Sequence, residues 1–443
     1  MSLDMSKFRQ QHMSIMWHEL SGRDSDSPSV SSLLEEKAGL VGRVGLMLLE
    51  AGAGAFRVRA AMNKLSRALG ITCTADIGIK SIEYTCIEGT SSVTNALSNR
   101  STGVNTYRLH WLEIFCDGFS ERVKRYSVDD FHRMLDTIGK SGSNYRLWQL
   151  CLAAGIACGA FAFLLGAGPV EMGCALIAAA AGFLIRKILL TRHITLFANT
   201  GAAVLTSCFV YILLVKLYSL LTGNPMDYQA GYICSMLFVI PGFPLITGGI
   251  DLAKLDLRSG LERITYAVLV IGVAAVTCAF TASIFNFAPN EFPPYEMALP
   301  LRYILRFVMS FTGVYGFSMI FNSSQKMAVT AGVMGAIANF FRLLLTDFGV
   351  EVSLAAFCGA LLAGLMASSI KRFIGFPRVT LTVPSIVIMV PGMFMYKGIY
   401  FVSSGEFSEG WVWLCKALII VASLPLGLVF ARILTDKNFR KST

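Results

Sequence analysis

From Leu147 onward the chain is a succession of apolar blocks, each long enough to cross a bilayer and separated from the next by a short charged or Gly/Pro-containing connection. About twenty residues at 1.5 Å each cover the roughly 30 Å of hydrocarbon. Lipid offers no hydrogen bonds to the backbone, so such blocks must be helices that satisfy their own amides. Spans are predicted near Leu147–Ala167, Pro169–Leu190, Ile194–Val215, Tyr228–Ile250, Leu261–Ala288, Leu299–Phe321, Met327–Leu345, Val352–Ile370, Val379–Tyr400 and Trp411–Ile433. A chain with 54% hydrophobic and 15% charged residues and a mean hydropathy of +0.60 is too apolar to be wholly water-solvated. Its bulk solvent partner is the lipid bilayer.

The formal charge of +10 does not indicate nucleic acid, because Lys and Arg concentrate beside the ends of the apolar blocks. Alternate connections carry Arg186, Lys187 and Arg192; Lys254, Arg258 and Arg263; Lys326; Lys371, Arg372 and Arg378; and Arg432, Lys437, Arg440 and Lys441. By the positive-inside rule these are cytoplasmic, and ten spans put both termini on that side. The opposite side is expected to hold Asn224–Asp227 and the loop Pro289–Leu299, with fewer cations.

Before the spans the composition is mixed. Residues 1–30, with the polar run Ser21–Pro28, are expected to form a disordered tail, and no secretory signal is apparent there. Residues 31–146 read as a small cytoplasmic α+β domain. Helical periodicity runs over Ser31–Leu69, broken at Gly52-Ala-Gly54. Strand character follows in Ile71–Ile79, Ser81–Ile87 and Asn105–Phe115, and Ser127-Val-Asp-Asp130 opens a last helix to about Gly139. The 11 cysteines show no CxxC and no zinc spacing, so they read as reduced packing residues and no metal site is expected.

Residues 147–288 and 299–434 correspond to each other. Val239-Ile-Pro-Gly-Phe243 recurs as Met389-Val-Pro-Gly-Met393, with Pro241-Gly242 and Pro391-Gly392 offset by 150 residues in the fourth and ninth spans. Lys187–Thr191 against Arg342–Thr346, and Gly201-Ala202 against Gly359-Ala360, suggest offsets of 155 and 158. An odd number of spans per half inverts the second half relative to the first. The predicted fold is therefore an α-helical polytopic membrane protein of about ten spans, two five-helix inverted repeats preceded by the α+β domain.

Proline removes an amide donor and glycine tolerates unusual backbone geometry, so each Pro-Gly step, with Pro244 after the first, is expected to interrupt its span and free backbone groups for a substrate. Asn199, Thr200 and Asn339 offer side-chain hydrogen bonds at membrane depth, although such residues commonly bond a neighbouring helix. Arg186 and Arg342 could attract an anion or snorkel to headgroups. Asp251 is a candidate for proton coupling, against the alternative of a solvated loop carboxylate beside Lys254. The five histidines form no HExxH, and Walker A and GxSxG sequences are absent, so no catalytic residue, cofactor or ATP-driven cycle is expected.

After residue 35 the chain resembles the threonine/serine exporter (ThrE) family. The resemblance lies in Leu48–Val58 with Ser66–Gly70, in Ile185–His193, in Ile240-Pro-Gly-Phe-Pro-Leu-Ile246 followed by Asp251 and Ser259-Gly260-Leu261, and in Val390-Pro-Gly392 before Gly398. It implies a secondary exporter of threonine and serine in the bacterial cytoplasmic membrane, driven by the proton motive force. Relatives associated with C4-dicarboxylate export divide the halves between two chains, which makes dicarboxylate efflux the alternative. A third reading treats the N-terminal domain as a sensor or hydrolase with the spans as scaffold. The resemblance departs at Arg59, where relatives tend to carry an acid. Homo-oligomerisation is left open.

Overall fold

In a computed structural model the described residues are 15–20, 28–99, 102–223, 229–285 and 295–440. The expected loops at 224–227 and 289–294, and most of the tail, lie outside them. Contacts divide the chain into two units, Met1–Gly142 with Asp256–Ser259, and Ser143–Leu255 with Gly260–Thr443.

The first unit is built on α1 (Leu34–Glu50) and α2 (Ala55–Ala68), parted at Gly52, whose φ of 94° suits glycine. α1 is buried along nearly its whole length and packs on a sheet of three antiparallel strands ordered β1 (Thr72–Ile77), β2 (Ser81–Glu88) and β3 (Ser91–Ser98). The two meet where Tyr84 donates to the Ala38 carbonyl at 2.9 Å, its ring filling the place a side chain at Gly42 would occupy. α3 (Thr106–Arg122) and α4 (Val128–Lys140) complete the unit, and α4 opens with the anticipated cap, Ser127 and Asp130 bonding reciprocally.

Three expectations are corrected in this unit. Asn105–Phe115 is helix rather than strand: Asn105 caps α3 through the Arg108 amide, and Leu109, Leu112, Cys116 and Phe119 are buried at helical spacing, while Trp111 of the apparent alternation is 42% exposed. The third strand comes instead from Ser91–Ser98, whose exposed polar residues carry little apolar periodicity. Within the supposed tail, Trp17–Leu20 forms a 3₁₀ turn. Trp17 stacks on His132 beneath the Arg43 guanidinium, and His18 hydrogen-bonds Asp129 and Asp136.

The hydrogen bonds to Asp129 and then Asp136 raise the His18 imidazole above its ordinary 6.5, whereas burial, aided by Arg43, pushes His132 down to about 4. A raised folded-state value means that His18 favours the docked turn fully below 6.5 and loses that contribution as pH rises through the raised value. Hydrogen exchange of residues 15–20, corrected for intrinsic rates, should therefore be faster at about pH 8 than at about pH 6. Asp129, Asp136, Arg43 and Arg133 are the charges surrounding this histidine, and His18→Gln should abolish the difference. The four residues Asp256–Ser259 also belong here: Arg59 pairs with Asp256, and Arg258 with Asp76. Arg59 thus has an acidic partner within its own unit.

The second unit is helical throughout: α5 (Leu147–Leu164), α6 (Pro169–Thr191), α7 (Leu196–Thr222), α8 (Gln229–Cys234), α9 (Gly242–Ala253), α10 (Leu257–Ile284), α11 (Leu299–Ile320), α12 (Gln325–Asp347), α13 (Val352–Ile374), α14 (Arg378–Val387), α15 (Gly392–Ser403), α16 (Phe407–Thr435) and the short α17 (Lys437–Arg440). Eight of these helices are long and apolar enough to span a membrane. The other two predicted spans are bent pairs, Ala230–Val239 with Gly242–Ala253 at 65° and Arg378–Val387 with Gly392–Ser403 at 50°.

The left-handed residues of this unit show how its halves correspond. Gly166 (φ 100°) matches Asn322 (59°), His193 (56°) matches Gly349 (82°), Gly223 (71°) matches Gly375 (76°), and Leu255 (61°) matches Gly405 (87°). Since bulky residues rarely adopt positive φ, four pairs in the same order are a structural repeat rather than a coincidence of apolar letters. The cap bonds repeat as well: Ala167 N to Ala162 O and Ser323 N to Ser318 O, Ile194 N to Leu189 O and Val350 N to Leu345 O.

These matches correct the register. The offset is 156 from α5 to the start of α7, 152 at the end of α7, which is one turn longer than α13, and 150 from α9 onward, so Arg342 corresponds to Arg186 and Gly359 to Ala203. Offsets of 155 and 158 arose because Leu/Ala-rich helices match at several shifts, whereas caps fix a single one. α5 and α11, equivalent helices, run antiparallel: Gly316 abuts Ala153 and Ala157, and Gly313 abuts Ala160.

Candidate functional site

Both breaks have one local cause. Pro241 (φ −81°, ψ 62°) and Pro391 (φ −81°, ψ 57°) are the centres of inverse γ-turns, closed by Gly242 N to Ile240 O at 2.8 Å and Gly392 N to Val390 O at 2.9 Å. Helix resumes as Leu245 N bonds Pro241 O and Met395 N bonds Pro391 O, both at 3.1 Å. Pro244 stands in the first turn of α9, where its missing amide costs no helical bond. Its counterpart in the second half is Phe394.

The two breaks pack on each other reciprocally. A side chain at Gly242 would meet Val387 and Val390, and one at Gly392 would lie 2.6 Å from Leu237 and 2.7 Å from Ile240, the equivalents of those valines. Phe161 and Phe317, also equivalent, meet edge to face at 5.8 Å. Two equivalent residues in mutual contact mark the local two-fold axis. A small apolar void of about 10 Å³ lies there, lined by both phenylalanines, Leu237, Ile240, Gly242, Val387 and Val390. It is at the lower limit for one water, so the two breaks leave no room between them for a substrate in this conformation.

Arg186 lies beside the first break and donates to the Phe238 carbonyl at 2.9 Å, taking up an acceptor that the interrupted helix leaves without its usual amide. Arg342 donates to Asn339 Oδ1 at 2.9 Å, and Asn339 donates to Ser310 at 2.8 Å. Asn339 is thus engaged between helices, while Arg342 packs beside Gly359 and Met389 near the second break. Asn199 and Thr200 are buried in the first turn of α7, and neither Asn199 Oδ1 nor Thr200 Oγ1 has a hydrogen-bond partner among the described residues. No hydrogen bond links either residue to the breaks among those residues.

Asp251 is no solvated loop carboxylate. It is 1% exposed, with the Arg263 Nε at 3.3 Å, and Arg263 also reaches Thr247 Oγ1 at 3.4 Å. At the positions equivalent to Thr247 and Arg263 the second half has Lys397 4.6 Å from the Trp413 ring, so the Arg263–Thr247 hydrogen bond of one half is replaced by a cation–π contact in the other, while Asp251 itself corresponds to Phe401. Between them, α9 crosses α10 at Gly248 and Gly260, as α15 crosses α16 at Gly398 and Gly410. In the sequence Arg263 reads only as a cation near a span end, and Lys397 carries no local signal. Their partners are too far along the chain for any local motif, although the 150-residue offset, applied to Thr247 and Arg263, would have drawn attention to Lys397 and Trp413.

Comparison with known proteins agrees with this architecture. Residues 39–285 match the family described as "Putative threonine/serine exporter", and residues 306–434 the one described as "Threonine/Serine exporter, ThrE". Over 233 residues, 51% of this chain and 85% of the relative, it is 26% identical to the "Probable succinate transporter subunit YjjP" of Escherichia coli. The protein of the same description from Klebsiella aerogenes is 25% identical over 51% of this chain and 84% of its own. No solved structure matches. The relatives are transporters, not enzymes, and the apolar helices make this a multi-pass membrane protein. The chain belongs to the threonine/serine exporter family.

Proposed function

We propose that this protein is a secondary active exporter of small polar metabolites, threonine and serine first, moved by alternating access of two inverted halves and driven by the proton motive force. The observation that carries this reading is the reciprocal packing of the Pro241-Gly242 and Pro391-Gly392 breaks across the local two-fold axis. Separation of the halves along that axis would uncover the backbone groups of both breaks together, with the half-helix N-termini of α9 and α15 available to a carboxylate. Asn199 Oδ1 and Thr200 Oγ1 are buried polar atoms suited to a substrate ammonium or hydroxyl, and Arg186 and Arg342 stand near the breaks as cations. Asp251 carries the coupling proton in this scheme. The cation distribution supports a cytoplasmic-membrane location with both termini inside.

The test is efflux from proteoliposomes loaded with labelled L-threonine, L-serine or succinate under imposed pH and voltage gradients. Saturable, gradient-dependent movement of the hydroxy amino acids is expected. Flux that neither saturates nor shows counterflow would replace the exporter by a channel. A second reading, C4-dicarboxylate efflux, is favoured by the description of both relatives as probable succinate transporter subunits and by the cationic Arg186 and Arg342. Preferential movement of succinate would establish it. Orientation is checked by placing single cysteines at residues 20 and 440 of a cysteine-free variant. Neither should react with an impermeant reagent on intact cells.

A further inference from the structure

The α5–α11 crossing has two ends that are equivalent by the repeat and yet differ. One is sealed: Tyr145, 7% exposed, donates its hydroxyl to Ser323 O at 2.7 Å, and Asn144 N donates to Asn322 Oδ1 at 2.7 Å. At the other end the counterpart of Tyr145 is Leu301, which is 49% exposed, and the described residues leave the crossing unfilled there. A cavity of about 130 Å³ remains there, between the C-terminal end of α5 and the first turns of α11.

Its walls are chemically opposite. One carries Arg302 and Arg306. Arg306 is neutralised by Asp347, whereas Arg302 takes part in no ion pair among the described residues, so these three groups leave one net positive charge. The opposing wall is the chain from Phe163 to Ala167, where α5 ends. The Gly166 carbonyl is taken by the Tyr295 amide at 2.9 Å, but the carbonyls of Leu164 and Leu165 accept no backbone hydrogen bond among the described residues. Unclaimed carbonyls at a helix C-terminus attract a cation as a guanidinium attracts a carboxylate. Drug-sized pockets hold about 300–1,000 Å³, so this one suits a molecule of only a few heavy atoms.

We propose that this cavity binds a small α-amino acid as its zwitterion, the carboxylate on Arg302 and the ammonium against the Leu164 and Leu165 carbonyls. A single net positive charge matches one carboxylate rather than two. The site deepens the exporter reading and rests on it: it is a vestibule apart from the paired breaks, at the end of the crossing that is open while the other is sealed.

The test uses the full-length protein in lipid nanodiscs and equilibrium binding of L-threonine, succinate and threoninol, the amino alcohol that lacks the carboxylate. Arg302→Gln should weaken L-threonine binding by about tenfold or more, since it removes a charge-assisted hydrogen-bonding group. Arg302→Lys should weaken it less, and threoninol binding should not respond to either change. Tyr145→Phe, at the sealed end, should leave L-threonine affinity within about twofold. An arginine that only snorkels would alter stability without this ligand selectivity. Unchanged L-threonine affinity in monodisperse Arg302→Gln protein overturns the site, and if wild-type proteoliposomes still export threonine the exporter reading survives it. Arg302-dependent binding that prefers succinate overturns the amino-acid assignment. Wild-type proteoliposomes that export no threonine remove the substrate reading on which the proposal rests.

Discussion

Converting Pro241 and Gly242 together to alanine should lower transport by about 100-fold or more, the lower bound expected when two hydrogen bonds to a charged ligand are lost at about 1.5–3 kcal/mol each. Alanine restores both an amide donor and a preference for helix, so the 65° bend would straighten and its backbone groups return to the helical ladder. The substitution is sterically mild at this break, because a new Cβ would lie 3.3 Å from Val387. Pro391 and Gly392 changed together should have the same functional effect with a larger packing disturbance, given the 2.6 Å approach to Leu237. Purified, monodisperse variants allow binding to be separated from folding. Undiminished substrate affinity in both double variants, each also carrying Arg302→Gln to silence the vestibule, would refute a binding site at the breaks.

Asp251→Asn should destabilise the membrane unit by about 3–5 kcal/mol, since it strips Arg263 of its carboxylate in a buried setting. The guanidinium is 3% exposed and has little water to turn to. Removing both charges, as in Asp251→Leu with Arg263→Met, should recover most of the loss, because the desolvation cost disappears along with the pair. Thermal inactivation of the purified variants measures this. The double variant also isolates the coupling role: if Asp251 carries the driving proton, exchange should persist while accumulation against a gradient disappears. Concentrative transport by the stable double variant would dismiss Asp251 as the coupling group and leave it a structural partner of Arg263.

Much of this was legible because membrane helices obey a narrow physics. Apolar length alone located the spans, and Pro-Gly at Pro241 and Pro391 located both breaks, since few residues disrupt a helix so directly. Register was harder: Lys187 and Arg342 look aligned by letters, but Gly166 with Asn322 and His193 with Gly349 align by conformation, which a sequence does not display. α3 is hard to read from sequence because Tyr107, Leu109 and Trp111 alternate over a stretch too short to separate the two periods, and the Asn105 cap is a weak signal by itself. Trp17 and His18 sit in an apolar stretch, Ile15 to Leu20, too short to signal structure by itself, and their partners on α1 and α4, distant in the chain, give them a place. Asp251 was found as a residue but not as a pair, since Arg263 approaches it across the turn into α10. The Arg302 cavity had no sequence signature, because it depends on Leu301 standing where the other end has a tyrosine.

The way Gly242 leans on Val387 while Gly392 leans on Leu237 also bears on stoichiometry. The glycine of each break is covered by side chains of the other half, so a half made alone would present an open seam and should be cleared by membrane quality control. The Escherichia coli relative, described as a subunit, aligns over 85% of its length with only 51% of this chain. Carrying both halves in one polypeptide fixes their ratio at synthesis and holds the second half at a high effective concentration beside the first. Substitutions at the seam should then be buffered by the covalent link here, and should cause dissociation where the halves are made separately.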